Sequence, residues 1–337
     1  MATEDGIDAK DGAPSRPAFI AWKEYQRRAE VLAPLLGCSG VCYFPHFFQS
    51  KALRPFDYLL ELIRTVAYLI RFRPKLVFLQ APPLFSAFGA ILFRTPYVVD
   101  IHNTLVQSFW SRVPLTKTFL RNAEVLIAHN SEIAAVIQAR YPAAKVVTIQ
   151  DPVEAICNGL RLRDKREILI ICSFDRDEPI SLILEMIQEL PEFAFTITAN
   201  VRRLPRDLHQ AFTACTNLRL TGFLSTDAYH SLLSSCKAAV VLCTMPAVQP
   251  SGAVEALASN TPLIVTRSSL TESLFGEWAM LVENNLESLT VAIRSLNDDR
   301  QDLQVYRNRW NDQVFREIAE LQKCLATIAC AVHKCRY

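Results

Sequence analysis

The segment Pro250-Ser251-Gly252-Ala253-Val254-Glu255-Ala256-Leu257-Ala258-Ser259-Asn260-Thr261-Pro262-Leu263-Ile264-Val265-Thr266 decides how the chain is read. Ser251 and Gly252 start a helix well, and the amides of a first helical turn have no acceptor within the helix. Together with the helix dipole, those amides form a seat for a phosphate group. Glu255 follows one turn later, within reach of a hydroxyl beside such a phosphate. Asn260 suits a left-handed cap, Thr261-Pro262 blocks a further turn, and Leu263-Ile264-Val265 has the β-branched character of a buried strand. Helix, stop and strand in this order form half of a repeating α/β unit.

The same alternation extends outward from this segment. Val41-Cys42-Tyr43-Phe44, Leu76-Val77-Phe78-Leu79, Tyr97-Val98-Val99-Asp100 and Val125-Leu126-Ile127-Ala128 are short apolar runs separated by helical patterns or turn residues. Asp151-Pro152-Val153 reads as a hinge and 158–166 as a polar connection. The alternation then restarts with Ile168-Leu169-Ile170-Ile171-Cys172, Phe193 to Thr198, Leu218-Arg219-Leu220, Ala238 to Leu242 and Leu263-Ile264-Val265. The expected class is α/β, with two Rossmann-like, doubly wound domains facing a cleft. Residues 1–17 read as a polar tail, 18–153 and 154–300 as the two domains, and 301–337 as a C-terminal helix. Ligands of such sheets bind beyond the carboxyl ends of the strands.

Composition narrows the function. Of the 337 residues, 50% are hydrophobic and 21% charged, as in a globular chain of two domains. The net charge of +2 argues against a nucleic-acid partner. Its distribution is uneven: 1–150 carry 17 Lys/Arg against 11 Asp/Glu, and 151–337 carry 19 against 23. The basic half is expected to face something anionic. The ten cysteines lie largely in apolar segments, as buried thiols of a reducing cytoplasm do. Cys38 and Cys42 have no matching Cys/His pair, so no metal site is expected. The start Met1-Ala2-Thr3-Glu4-Asp5 lacks the basic and apolar regions of a secretory signal, and a cytoplasmic location is expected.

The region Phe56 to Gln80 is strongly apolar, yet Asp57, Glu61, Arg64, Arg71, Arg73 and Lys75 interrupt it too often for a membrane span. At helical spacing Arg64, Tyr68, Arg71 and Lys75 share one face, and Leu59, Leu62, Ile63, Val66 and Ile70 the other. Two readings follow: a basic helix on an anionic membrane surface through 51–75, peripheral at its inner face, or a core helix with a solvated basic side.

No G-x-G-x-x-G follows a strand, and no G-x-x-x-x-G-K-[ST] occurs, which argues against dinucleotide oxidoreductases, hydride-using epimerases and P-loop nucleotidases. The pattern over 18–325 resembles the GT-B glycosyltransferases, specifically the retaining, nucleotide-sugar-dependent group that includes exopolysaccharide and lipid-linked-glycan transferases. Pro250 to Ala258 resembles the second half of that family's E-x7-E signature. By that resemblance Glu255 holds the donor ribose, and the amides of Ser251, Gly252 and Ala253 hold the diphosphate. The first acid of the signature is replaced by Ala247, a departure that bears on sugar recognition, with Gln249 or a neighbouring main-chain group as substitute.

The other assignments rest on the same resemblance. Ser173 and Arg176, in the loop after Ile168 to Cys172, fall where the family grips the donor phosphates; Asp177-Glu178-Pro179 also fits an ordinary helix start. Thr198 and Asn200 after one strand, and Gly222 and Phe223 after another, fall around the nucleotide base, with Ser225 capping the next helix. His102 and Asn103, after Val98-Val99-Asp100-Ile101, fall beside the transferred sugar. His129 and Asn130 precede a helix that Ser131 is expected to cap. Trp22, Arg27 and Arg28 admit an acceptor contact or plain packing.

The implied activity is transfer of a sugar from a UDP- or GDP-sugar to a glycan or lipid-linked acceptor with retention, needing no cofactor and no metal. The alternatives are a non-catalytic relative of the same fold, for which the change at Ala247 speaks, and an exported two-domain binding protein, against which the chain start and unpaired cysteines speak.

Overall fold

The structure, a computed structural model, describes residues 16–48, 50–101, 105, 109–156, 166–245, 247–297 and 302–334. The chain forms two compact units, one of residues up to Gln150 together with Glu317 onward, the other Asp151–Arg316. Each contains one six-stranded sheet in which every neighbouring pair is parallel.

In the first unit the strands are β1 (Ala18–Ala21), β2 (Val41–Tyr43), β3 (Val77–Ala81), β4 (Tyr97–Ile101), β5 (Val125–Ala128) and β6 (Val146–Thr148). Their order is β2-β1-β3-β4-β5-β6. The helices are α1 (Arg27–Leu35), α2 (Arg54–Phe72), α3 (Ala87–Leu92), α4 (Pro114–Arg121) and α5 (Ser131–Arg140). β1, β3, β4 and β5 are buried along their whole length, which the apolar side chains of their runs permit on both faces. β1 and β6 were not expected: the first is only four residues long and the second follows a turn with little pattern of its own.

In the second unit the strands are β7 (Glu167–Ile170), β8 (Ala194–Ile197), β9 (Leu218–Leu220), β10 (Ala238–Val241), β11 (Leu263–Thr266) and β12 (Met280–Val282), in the order β12-β11-β10-β7-β8-β9. The helices are α6 (Ile180–Glu189), α7 (Arg206–Ala214), α8 (Thr226–Ser235), α9 (Ser251–Ala258), α10 (Ser269–Phe275) and α11 (Leu286–Arg294). A last helix, α12 (Gln304–Lys334), belongs to this unit as far as Arg316. It is tied down by Trp310, whose Nε1–H donates to Asp151 O at 2.8 Å and whose ring stacks on Phe275. Asn311 exchanges two hydrogen bonds with the Val153 backbone. In the first unit Glu317 accepts from the Gln150 amide at 2.9 Å.

Two local expectations need correction. Ser131 does not cap α5: Asn130 does, its Oδ1 accepting from Ile133 N at 2.9 Å. The buried stripe of α2 is Asp57, Glu61, Thr65 and Leu69, so Leu59, Ile63 and Ile70, which the core-helix reading would bury, are exposed. Buried polar partners in the first unit decide this orientation. Asp57 accepts from the amides of Phe47 and Phe48 at 2.8 and 2.9 Å, Glu61 pairs with His46 Nδ1 at 2.5 Å, and Thr65 accepts from Trp22 Nε1–H at 2.9 Å. Trp22 is therefore a packing residue. Arg28 is one too: it is buried, forks onto Asp100 at 3.0 to 3.2 Å and donates to Ile149 O.

Candidate functional site

The strand order of the second unit reverses direction between β7 and β10, the topological switch point of a doubly wound sheet. A cavity of about 310 Å³ opens there, between the loop after β7, the loop after β10 and the start of α9. It brings together Ser173, Gln249, Ser251, Gly252 and Glu255.

The start of α9 forms one wall. Pro250 precedes the helix in extended backbone, and no side chain caps it. The amides of Ser251 and Gly252 meet no acceptor among the described residues, whereas Ala253 N donates to Pro250 O at 3.1 Å and is already engaged. Gly252 is demanded by packing: a Cβ there would lie 2.8 Å from Ile171 Cγ2 and 3.2 Å from Val241 Cγ2. The glycine lets the helix start press against the sheet and brings its amides to the strand ends. Glu255, one turn in, accepts the Tyr229 hydroxyl on Oε2 at 2.5 Å. Tyr229, on α8, was not singled out from sequence, since nothing local relates it to a residue 26 positions away. Gln249 reaches the same cavity, with a buried Oε1 that has no hydrogen-bond partner among the described residues.

The loop after β7 forms the opposite wall. Phe174 takes a left-handed φ of 57°, and the amides of Ser173 and Asp175 converge on Glu178, donating to its carboxylate at 2.9 to 3.1 Å. Burial raises the Glu178 pKa, opposed by those amide hydrogen bonds. The neighbouring Asp177 carbonyl accepts from Thr244 N at 2.6 Å, tying this loop to the one after β10. Arg203 reaches this loop, donating to Ser173 O at 3.0 Å and pairing with Asp175 at 2.6 Å, without lining the cavity. Arg176, the cation read from sequence, is exposed and does not line the cavity.

The remaining assigned residues are not among those that line this cavity. Thr198 is half-buried, Asn200 Oδ1 accepts from Arg202 N at 3.1 Å, Gly222 has a φ of +67° and Phe223 is 81% exposed. Ser225 caps α8 through Ala228 N. His102 and Asn103 lie outside the described residues. Cys38, Cys42, Cys172, Cys215, Cys236, Cys243 and Cys324 form no disulfide, and burial pushes Cys172, beside the cavity, up to about 12.

This geometry falls within a recognisable domain. Residues 160–313 match the family model of glycosyl transferases group 1. The matched stretch lies inside the second unit and contains every cavity residue named above. No curated protein matches the chain in sequence. Among solved structures, sucrose-phosphate synthase from Thermosynechococcus elongatus is similar with a TM-score of 0.70 at 14% identity, over 94% of this chain and 99% of that one. Anabaena HepE in complex with UDP is similar with a TM-score of 0.64 at 13% identity, over 94% and 100%. An alpha,alpha-trehalose-phosphate synthase (UDP-forming) from Burkholderia vietnamiensis reaches 0.57 at 10% identity, over 86% and 82%. These likenesses are of fold: two parallel six-stranded sheets with flanking helices, as in GT-B glycosyltransferases. Among the described residues, no helix is long and apolar enough to cross a membrane.

Proposed function

We propose that this chain is a retaining glycosyltransferase that moves a sugar from a UDP- or GDP-sugar to a glycan or lipid-linked acceptor. The observation that carries the reading is the switch-point cavity inside the glycosyl transferases group 1 match, with two unengaged helix amides, an orphaned Gln249 oxygen and Glu255 on its walls. HepE, whose solved complex contains UDP, supports a uridine nucleotide as the first donor to test.

In this reading the Ser251 and Gly252 amides hold the diphosphate, and Glu255, steadied by Tyr229, holds the ribose hydroxyls. Ala253 drops out of the amide set because its N–H is engaged. Gln249 takes the part that Ala247 cannot play, its buried oxygen accepting a hydroxyl of the transferred sugar. Thr198, Asn200, Gly222 and Phe223 surround the base. As the anomeric C–O bond breaks, negative charge grows on the leaving diphosphate, where preorganised amide dipoles stabilise it without a metal or cofactor. The acceptor hydroxyl adds from the same face and gives its proton to that phosphate. The chain works in the cytoplasm, at the inner face of a membrane that carries the acceptor.

A second reading has its own observation. Glu178 occupies the amides of the loop after β7 with a carboxylate of this chain, and Asp175, Asp177 and Glu255 also line the cavity. A non-catalytic relative would look like this. Incubating the purified chain with a panel of UDP- and GDP-sugars and measuring nucleotide release separates the two. Release from at least one donor is expected; none from any donor, with no binding of UDP or GDP, overturns the transferase.

A further inference from the structure

The helix α2 is built inside out. Its inward stripe at i, i+4 spacing is Asp57, Glu61, Thr65 and Leu69, three of them polar and all buried. Its outward side carries Phe56, Leu59, Leu60, Ile63 and Ile70, each between 41% and 59% exposed. In a helix that merely covers a sheet these two sides would be exchanged.

The neighbouring helix extends the same surface. α3 crosses α2 at Gly89, where a Cβ would stand 3.2 Å from Leu69 Cδ1 and 3.4 Å from Val66 Cγ2. It leaves Phe88, Ile91 and Leu92 exposed, and Phe93 follows them. Eight large apolar side chains on two touching helices, with Phe93 just beyond, exceed the scattered apolar residues that any soluble surface carries.

Charge selects what covers them. Arg64 and Arg71 are exposed on α2, and Arg73, Lys75 and Arg94 are exposed just beyond the ends of the two helices. The whole stretch 51–95 contains two acids, Asp57 and Glu61, and both are buried. This stretch therefore offers an apolar outer face, basic side chains beside it and no exposed carboxylate of its own. A second copy meeting this face across a two-fold axis would bring arginine against arginine. An anionic bilayer instead offers acyl chains to the apolar side chains and lipid phosphates to the guanidiniums.

We propose that the outer faces of α2 and α3 dock the first unit onto an anionic lipid bilayer, with Phe56, Leu59, Ile63, Phe88 and Leu92 below the headgroups and Arg64 and Arg71 at phosphate level. This inference extends the lipid-linked-acceptor reading, and its test reads lipid binding alone, so either can fail without the other.

The full chain is sedimented with phosphatidylcholine vesicles containing phosphatidylglycerol and with phosphatidylcholine vesicles alone. Binding to the anionic vesicles is expected, weakened by salt, and at least tenfold weaker in R64E/R71E, since each basic residue near the surface contributes about fivefold. I63D/L92D should lose binding at every salt concentration. All four positions are exposed, and an unchanged melting temperature identifies variants that remain folded. No binding to anionic vesicles, or wild-type binding by both folded variants, overturns the proposal. So does a dimer in solution that I63D/L92D dissociates while vesicle binding is absent, which would make this face a contact between copies.

Discussion

Glu255 and Gln249 present two different chemical states to one cavity. Glu255 has its Oε2 engaged by Tyr229, whereas Gln249 Oε1 is buried without a partner among the described residues, a condition that costs about 1–3 kcal/mol unless a ligand donor relieves it. Glu255→Ala is expected to weaken nucleotide binding about tenfold to a hundredfold, the range of hydrogen bonds to a charged group, and to abolish transfer without unfolding the chain. Titration calorimetry with UDP, followed by a turnover assay, checks both outcomes, and normal turnover would remove Glu255 from the site. Gln249→Leu should leave UDP affinity near wild type while reducing turnover of the sugar nucleotide; an equal loss for UDP would put Gln249 beside the nucleotide instead. Glu61 is a third residue with a measurable consequence. Burial and, next, the charge of Asp57 push its carboxyl up to about 8 from an ordinary 4.5, against the opposing pull of Arg54 and Arg64. A raised carboxyl keeps in the folded chain a proton that the unfolded chain has lost, so it lowers stability as pH rises between about 4.5 and 8. The paired His46 is shifted down, mainly by burial, and works in the opposite sense below its ordinary 6.5. Glu61→Gln should match wild type near pH 5 and exceed it near pH 8 by on the order of a few kcal/mol, measured by denaturant unfolding at the two pH values. Equal stability at both would show that Glu61 ionises normally.

At the scale of elements, α9 and α2 were read from sequence with opposite success. The boundaries of α9, its stop at Asn260 with φ 58° and the strand β11 beyond it follow from local chemistry: unengaged first-turn amides, a residue tolerant of the left-handed region, and a proline. The closeness of α9 to the sheet does not. Gly252→Ala would force a Cβ to within 2.8 Å of Ile171 and should cost about 1–3 kcal/mol by overpacking. Denaturant unfolding checks this, and a neutral result would mean that Ile171 can turn aside. For α2 the sequence pattern showed an amphipathic helix, and one of its two readings, the core helix, put its apolar side inside. His46, the Phe47 and Phe48 amides and Trp22 claim the polar stripe instead, and they come from segments that only the fold brings beside it. Tyr229 and Arg203 escaped sequence reading for the same reason: their partners Glu255 and Asp175 are distant along the chain.

At the scale of the whole molecule, each unit is a parallel sheet with its own strand order, and only the second falls within the family match. Ligand binding should therefore stabilise that unit first. UDP at a hundredfold excess over its dissociation constant adds about 2.7 kcal/mol, which for a unit of this size corresponds to a rise in Tm of roughly 5–11 °C. A melting curve with and without UDP checks this, and a shift given equally by NAD would argue against a nucleotide-sugar site. The sequence by itself determined the α/β alternation, the break near Asp151, and the helix-stop-strand segment that carries Glu255, because runs, caps and breakers act over a few residues. The tertiary structure alone decided which side of α2 is buried, which backbone amides are already engaged, and that Glu178 folds back onto the loop after β7. Those outcomes depend on partners far apart in the chain, and the free energy of burying a polar group is set by whether such a partner arrives.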